Sequence, residues 1–249
     1  MIVIAHVSDL HIDSGQRSIE RAEAVMAYLE DLPHDLDAVL VTGDIADHGL
    51  PSEYEEARRL LTSRHPVLVC PGNHDERAAF REHLLGGPAT PGPLNQVHHA
   101  PGFTLALCDS SVPGKDHGQL DDETLAWLDE VLTQATTPVL VAFHHPPATL
   151  NTPYVDGIRM FDEHRLAGLA GRHPRLVAFL AGHAHTPAAT TFAGLPLLVA
   201  PGVVSTLRLP WEHRAHAEDH VHLDLPPALA FHVLDADGRL TTHYRSVIG

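Results

Sequence analysis

Cysteine is nearly absent from this chain. Its two thiols, Cys70 and Cys108, each end an apolar run. Two cysteines cannot build the disulfide framework of a small secreted fold, and neither has metal-ligand spacing. Basic residues are also scarce, 16 against 32 acidic ones, and they are scattered. That excludes the basic stripe of an extended nucleic-acid groove. No apolar run reaches membrane-spanning length, so no membrane partner is expected. With no recognisable targeting or lipidation motif, the expectation is a cytoplasmic protein. Linkers and internal repeats are missing as well. Residues 1–249 are therefore read as a single domain, with 44% hydrophobic residues to fill its core.

What is abundant is histidine, with 22 residues, and negative charge, formally −16. Acidity has two readings: a solubilising surface, or carboxylates that neutralise bound cations. Histidine excess also has a bland cause in an Arg- and Ala-rich, Lys-poor composition. Position must therefore decide.

The first 85 residues alternate short apolar runs with helical spacing. Ile2–Val7, Ala38–Thr42 and Val67–Cys70 read as buried strands. Ser18–Leu32, a helix opened by the capping-box pattern Ser52-Glu-Tyr-Glu55, and Glu76–Leu85 read as the intervening helices. This rhythm predicts parallel strands with right-handed crossovers. Phe103–Cys108, Pro138–Phe143 and Arg175–Leu180 are further strands, with helices over Asp121–Leu132 and Gly157–Leu169. After His185 the pattern turns antiparallel: Ala189–Phe192, Leu195–Val199, Ala228–Leu234 and Leu240–Tyr244 are joined by tight turns.

Five polar segments each follow an apolar run, where parallel sheets bind ligands. In Ser8-Asp-Leu-His11 a carboxylate and an imidazole point the same way from extended chain. In Thr42-Gly-Asp44 the glycine permits a sharp turn, and Asp44 can bridge two cations. Pro71-Gly-Asn-His-Asp75 offers the neutral oxygen of Asn73, the titratable His74, and Asp75 as a cap or orienting group. Phe143-His-His-Pro-Pro147 is a stiff corner, with His144 the expected ligand and His145 lining the pocket. Ala181-Gly-His-Ala-His185 puts two imidazoles on one face. Each segment alone has a structural explanation, a turn or a cap. Five in this order, all at strand ends, point to one shared metal site.

The set resembles the calcineurin-like metallophosphoesterase superfamily over essentially the whole chain. The His144-His-Pro-Pro corner and the tail from Pro226 look most like its class III cyclic-nucleotide phosphodiesterase and glycerophosphodiesterase branch. The resemblance implies a four-layered α/β/β/α sandwich of two mixed β-sheets flanked by helices. It implies two transition-metal ions, manganese or iron first, zinc or cobalt as alternatives. One would take Asp9, His11, Asp44 and His185; the other Asp44, Asn73, His144 and His183. A hydroxide bridging the cations would attack a small phosphodiester, such as 3′,5′-cyclic AMP or a glycerophosphodiester. His74 would stabilise the transition state or protonate the leaving oxygen, with Asn73 and His145 beside the substrate. A homodimer is also implied. Asp47 stands where purple acid phosphatases have a tyrosine ligand, so no tyrosinate colour is expected.

A phosphomonoesterase on the same site, or a non-catalytic scaffold of the same fold, are the competing readings. Asp109 is read as a pocket residue or a strand-end turn, and Asn151, Tyr154 and Asp156 as a substrate loop. The histidine-dense segment His213–His222 is read as a solvated loop. His34, His65, His98 and His99 are read as surface histidines, and Trp211 as an interface or core anchor.

Overall fold

The computed structural model describes residues 1–212 and 220–248. The chain opens β1 (Ile2–Val7), α1 (Gln16–Glu30), β2 (Ala38–Thr42), α2 (Pro51–Leu60), β3 (Val67–Cys70) and α3 (Arg77–Ala79). It continues through β4 (Gln96–Ala100), β5 (Phe103–Leu107), β6 (Gly118–Gln119), α4 (Asp122–Gln134), β7 (Val139–Ala142), α5 (Pro153–Gly157), β8 (Met160–Phe161), α6 (Glu163–Ala170) and β9 (Leu176–Ala181). It closes with β10 (Ala188–Phe192), β11 (Leu195–Val199), β12 (Thr206–Leu207), β13 (Val221–His222), β14 (Ala228–Leu234) and β15 (Leu240–Ser246).

Two large mixed sheets result. One has the order β15-β14-β1-β2-β3, the other β10-β11-β9-β7-β5-β4. The expected parallel pairs β1/β2 and β2/β3 form, and β14 and β15 add antiparallel beside β1. Strand alternation sorts the apolar side chains into three layers. Ile4, Leu40, Leu105, Leu140 and Leu180 meet between the sheets. Val7, Val39 and Val41 face the other way, onto Val25 and Leu29 of α1 and Tyr54 and Ala57 of α2. Val141 and Phe179 pack outward with Leu128 of α4 and Leu166 of α6. The fold is thus the α/β/β/α sandwich of four layers. The C-terminal ends of β1, β2, β3, β7 and β9 carry the five polar segments.

Several local expectations need correction. The helix expected over Gly157–Leu169 is broken. Asp162 sits at a left-handed φ of 57°, Met160–Phe161 instead pairs with Gly118–Gln119, and α6 starts at Glu163. The helix expected over Glu76–Leu85 is α3 followed by a π-helical turn, Phe80–Leu84. Its cap is Glu76, whose carboxylate accepts the Ala78 and Ala79 N–H groups. Asp75 orients the site instead. Helix α2 starts one residue before Ser52, at Pro51, and Glu53 accepts the Leu50 N–H at 3.1 Å. His65 is buried, bonded to Leu36 N and Leu29 O. Trp211 is 72% exposed and so anchors no core. The strand Gln96–Ala100 lacks the apolar alternation that would have announced it. Most of the His213–His222 segment lies outside the described residues.

Candidate metal centre

The turns after β1, β2 and β9 are unusual. Among the described residues, eight non-glycines have positive φ, and five are expected metal ligands: Asp9 (55°), His11 (45°), Asp44 (47°), His183 (68°) and His185 (52°). Such conformations cost of order 1–3 kcal/mol each and persist only when surroundings enforce them. Here backbone hydrogen bonds do so. Asp9 N–H donates to Gly43 C=O at 3.2 Å and His11 N–H to Asp44 C=O at 2.9 Å. Gly43, at φ 81°, must be glycine, since a Cβ would lie 2.5 Å from His144 Nδ1.

These turns, together with the ends of β3 and β7, bring the seven expected ligands together. His11 Nε2 is 3.2 Å from His185 Nε2 and 3.5 Å from Asp44 Oδ2. His144 Nε2 is 3.3 Å from Asp44 Oδ2 and 3.1 Å from His183 Nδ1. His185 Nε2 is 3.5 Å from Asp9 Oδ1. Asp44 Oδ1 accepts the His74 N–H at 2.9 Å, which leaves Oδ2 as the atom facing both His11 and His144. Asp9 Oδ2, Asn73 Oδ1 and His183 Nε2 are buried with no hydrogen-bond partner.

Tautomers sharpen the point. His11 Nδ1 must donate to the Asp47 carboxylate (2.8 Å), and His144 Nδ1 to the Thr42 carbonyl (2.7 Å), because those oxygens only accept. In the neutral rings both Nε2 atoms then present lone pairs to a carboxylate. Those lone pairs, 3.3–3.5 Å from Asp44 Oδ2, repel it unless a proton or a metal cation lies between them. That separation suits the edges of a coordination shell with metal–ligand bonds of about 2.0–2.2 Å. The donor set therefore fits metal ions.

The electrostatics agree. Burial disfavours charge on His144, yet the adjacent Asp44 carboxylate carries its pKa up to about 9. Burial likewise opposes protonation of His11, but Asp47, Asp44 and Asp9 together raise it. His183 and His185, where burial dominates, are pushed down. The carboxylates thus make a cation-attracting field, which favours a proton or a metal ion on His11 and His144 while burial keeps His183 and His185 neutral.

His74 stands at the mouth, with its side chain 40% exposed. Its Nδ1 donates to the Asp47 carbonyl at 2.7 Å, which leaves Nε2 without a proton in the neutral ring. With His11, Asp44, Asn73, His183 and His185 it lines a cleft of about 320 Å³. Asp9 and His144 are buried.

Supporting residues were less visible. Asp47 orients His11. Asp75 accepts the Ile45, Ala46 and Gly72 N–H groups and the Tyr54 hydroxyl, tying the β2 and β3 turns together. His185 Nδ1 meets Ser205 Oγ at 2.9 Å. His145 does not line the pocket as expected. It is fully buried, its Nδ1 bonded to Ser110 Oγ and its Nε2 donating to the Asp116 carbonyl. Asp109 is buried too, accepting Leu94 N–H and Ser111 N–H, with Arg77 Nε 2.8 Å away. Of the Asn151–Asp156 loop, only Tyr154 reaches the cleft. Asp156 accepts the Leu150 and Thr152 N–H groups.

His6 was read only as part of an apolar strand. Its ring and that of His232 in β14 lie between the sheets, 2.9 Å apart. Ser8 Oγ donates to the Thr42 carbonyl, and Thr42 Oγ1 to Ser8 Oγ. That fixes the rest of the chain. Thr242 donates to His232, His232 to His6, and His6 Nε2 to Thr42 Oγ1 at 2.8 Å. The relay ends on the carbonyl that holds His144.

Comparisons with known proteins agree with this picture. Residues 2–187 match the family model for calcineurin-like phosphoesterases. The chain is 34% identical over 247 residues to the glycerophosphodiester phosphodiesterase GpdQ of Enterobacter lignolyticus, covering 93% of this chain and 86% of that protein. It is 33% identical over 217 residues to a cAMP/cGMP dual specificity phosphodiesterase of Mycobacterium tuberculosis, covering 82% and 68%. In fold it is similar to a dimetal phosphatase from Danio rerio, with TM-score 0.74 and 15% identity over 99% and 96% of the two chains. The chain belongs to the calcineurin-like phosphoesterase family.

Proposed function

We propose that this metal-dependent phosphoric ester hydrolase uses two cations to cleave a small phosphodiester, either a cyclic nucleotide such as 3′,5′-cyclic AMP or a glycerophosphodiester. The observation that carries the reading is the set of buried donor atoms of Asp9, Asn73 and His183 left without partners beside Asp44. In this reading Asp9, His11, Asp44 and His185 hold one cation. Asp44, Asn73, His144 and His183 hold the other. A mixed nitrogen and oxygen donor set suits manganese or iron, with zinc or cobalt as alternatives. Bound there, the cations supply Lewis acidity, neutralising the phosphoryl oxygens and acidifying water.

The chain's own residues do the rest. Asp47 and the Thr42 carbonyl keep His11 and His144 in the tautomer that presents Nε2. Asn73 contributes a neutral oxygen, which leaves the cleft less hostile to an anion than a carboxylate would. His74, fixed through Nδ1, turns Nε2 toward the cleft, where the protonated ring can deliver a proton to the leaving alkoxide. The kinds of diester come from the relatives, one named for glycerophosphodiesters and one for cyclic nucleotides.

The test is an assay of the Mn²⁺-loaded protein on cyclic AMP, glycerophosphocholine and bis(p-nitrophenyl) phosphate. Turnover of at least one diester, abolished by a chelator and restored by Mn²⁺, is expected. Turnover that survives complete metal removal contradicts the reading.

A further inference from the structure

Among the described residues, the cleft has one carboxylate that the metal centre does not use. Asp116 lines it together with His74, Tyr154 and Ile158. Among the described residues, no hydrogen bond or ion pair engages its carboxylate. No lysine or arginine is among the described residues of the cleft wall. The nearby arginines are committed elsewhere: Arg17 donates to the Val204 and Leu223 carbonyls, and Arg77 lies against Asp109. Arg208 lines an adjoining pocket instead.

The position of Asp116 is built rather than incidental. Its carbonyl accepts from His145 Nε2 at 3.2 Å, and His145 is held in turn by Ser110 Oγ at 2.9 Å. Gly118 lets the loop close onto that ring, since a Cβ there would lie 2.4 Å from the imidazole. A buried histidine that a ligand role leaves unexplained thus fixes the backbone of the segment that carries Asp116 at the cleft wall.

We propose that Asp116 is a specificity-determining residue that turns away phosphomonoesters. A monoester above its second pKa of about 6 carries two negative charges, a diester one. A carboxylate there, with no lysine or arginine among the described residues of the cleft wall, penalises the second charge. The diester's extra arm meanwhile has room: the adjoining pocket of about 160 Å³ shares Tyr154 and Leu207 with the cleft. Asp116 also has free acceptor oxygens for a hydroxyl or ammonium group on that arm.

The inference rests on the phosphodiesterase reading, and one experiment separates the two. Wild type, Asp116→Asn and Asp116→Glu are assayed at pH 8 with bis(p-nitrophenyl) phosphate and p-nitrophenyl phosphate. The Asn variant keeps the backbone carbonyl that His145 holds. It is expected to raise kcat/KM for the monoester about ten-fold, the scale of one screened charge at this range, while the diester value stays within about two-fold. The rise should shrink at high salt, and Asp116→Glu should restore the wild-type ratio. A diester-preferring wild type whose ratio is unchanged in Asp116→Asn overturns the inference alone. A parallel change for both substrates does so as well. A wild type that prefers the monoester overturns the inference and the reading together.

Discussion

Two clusters of buried histidines occupy the same core and differ in every respect that matters. His6 and His232 sit in regular strands. Each ring nitrogen has a partner, and one direction of donation runs from Thr242 to the Thr42 carbonyl. His11, His144, His183 and His185 sit in strand-end turns, three of the four on left-handed backbone. Their inward nitrogens crowd one another and two aspartates, and His183 Nε2 has no partner. Histidine burial is common to both and therefore says nothing about function. Buried polar atoms left without partners, on a backbone that costs energy to hold, distinguish the site from the structural pair.

Substitutions can break that contrast. The largest effect is expected at Asp44, whose Oδ2 is shared by the two halves of the site. Asp44→Asn should lower metal content and reduce diester turnover by roughly 10³-fold or more, the several kcal/mol that metal charge stabilisation supplies. Elemental analysis showing full loading would remove its bridging role. His74→Ala should leave metal content unchanged but lower kcat by roughly 10²–10⁴-fold, the usual scale for a proton donor. Unimpaired turnover would take His74 out of the chemistry. Asp47→Ala frees His11 Nδ1 and should weaken metal affinity by about 10–100-fold, as loss of an orienting partner does, read by competition with a chelator.

The smallest effect on catalysis, and the clearest on stability, belongs to the structural pair. Burial pushes His232 down to about 3, and His6 moves the same way. An unfolded histidine titrates near 6.5. As pH falls below that, the unfolded chain binds the proton first. This contribution is complete above about pH 6.5 and drains away toward pH 3, at up to about 1.4 kcal/mol per pH unit for His232. Urea unfolding at pH 7 and pH 5 should show a smaller pH dependence in His232→Gln than in wild type. Equal slopes would mean that the pair is not held neutral.

The sequence made much of this visible. Short strand-like segments of four to seven residues located the strands of both large sheets except β4. The polar segments at their ends identified the seven residues that converge, because D-x-H and H-x-H announce side chains, not contacts. The rest was hidden for physical reasons. Left-handed φ at Asp9 or His183 follows from tertiary hydrogen bonds such as Asp9 N–H to Gly43 C=O. Asp and His are enriched at positive φ among non-glycines, but only a few per cent of such residues adopt it, so residue type alone does not locate these turns. His6 looked like part of an apolar run because its partner, His232, is 226 residues away. His145 stood beside a ligand, so the pattern could not tell a pocket residue from the buried prop that it is. The break at Asp162 was masked by apolar spacing that continues into α6. Asp116 belongs to a loop without periodicity, and only the cleft reveals it.

The most direct test of the account is a metal count. After Mn²⁺ loading and gel filtration, elemental analysis should give about two metal ions per chain in wild type and fewer in Asp44→Asn. Wild-type protein that retains no metal after loading would contradict it, leaving the partnerless buried atoms of Asp9, Asn73 and His183 without the cations that explain them.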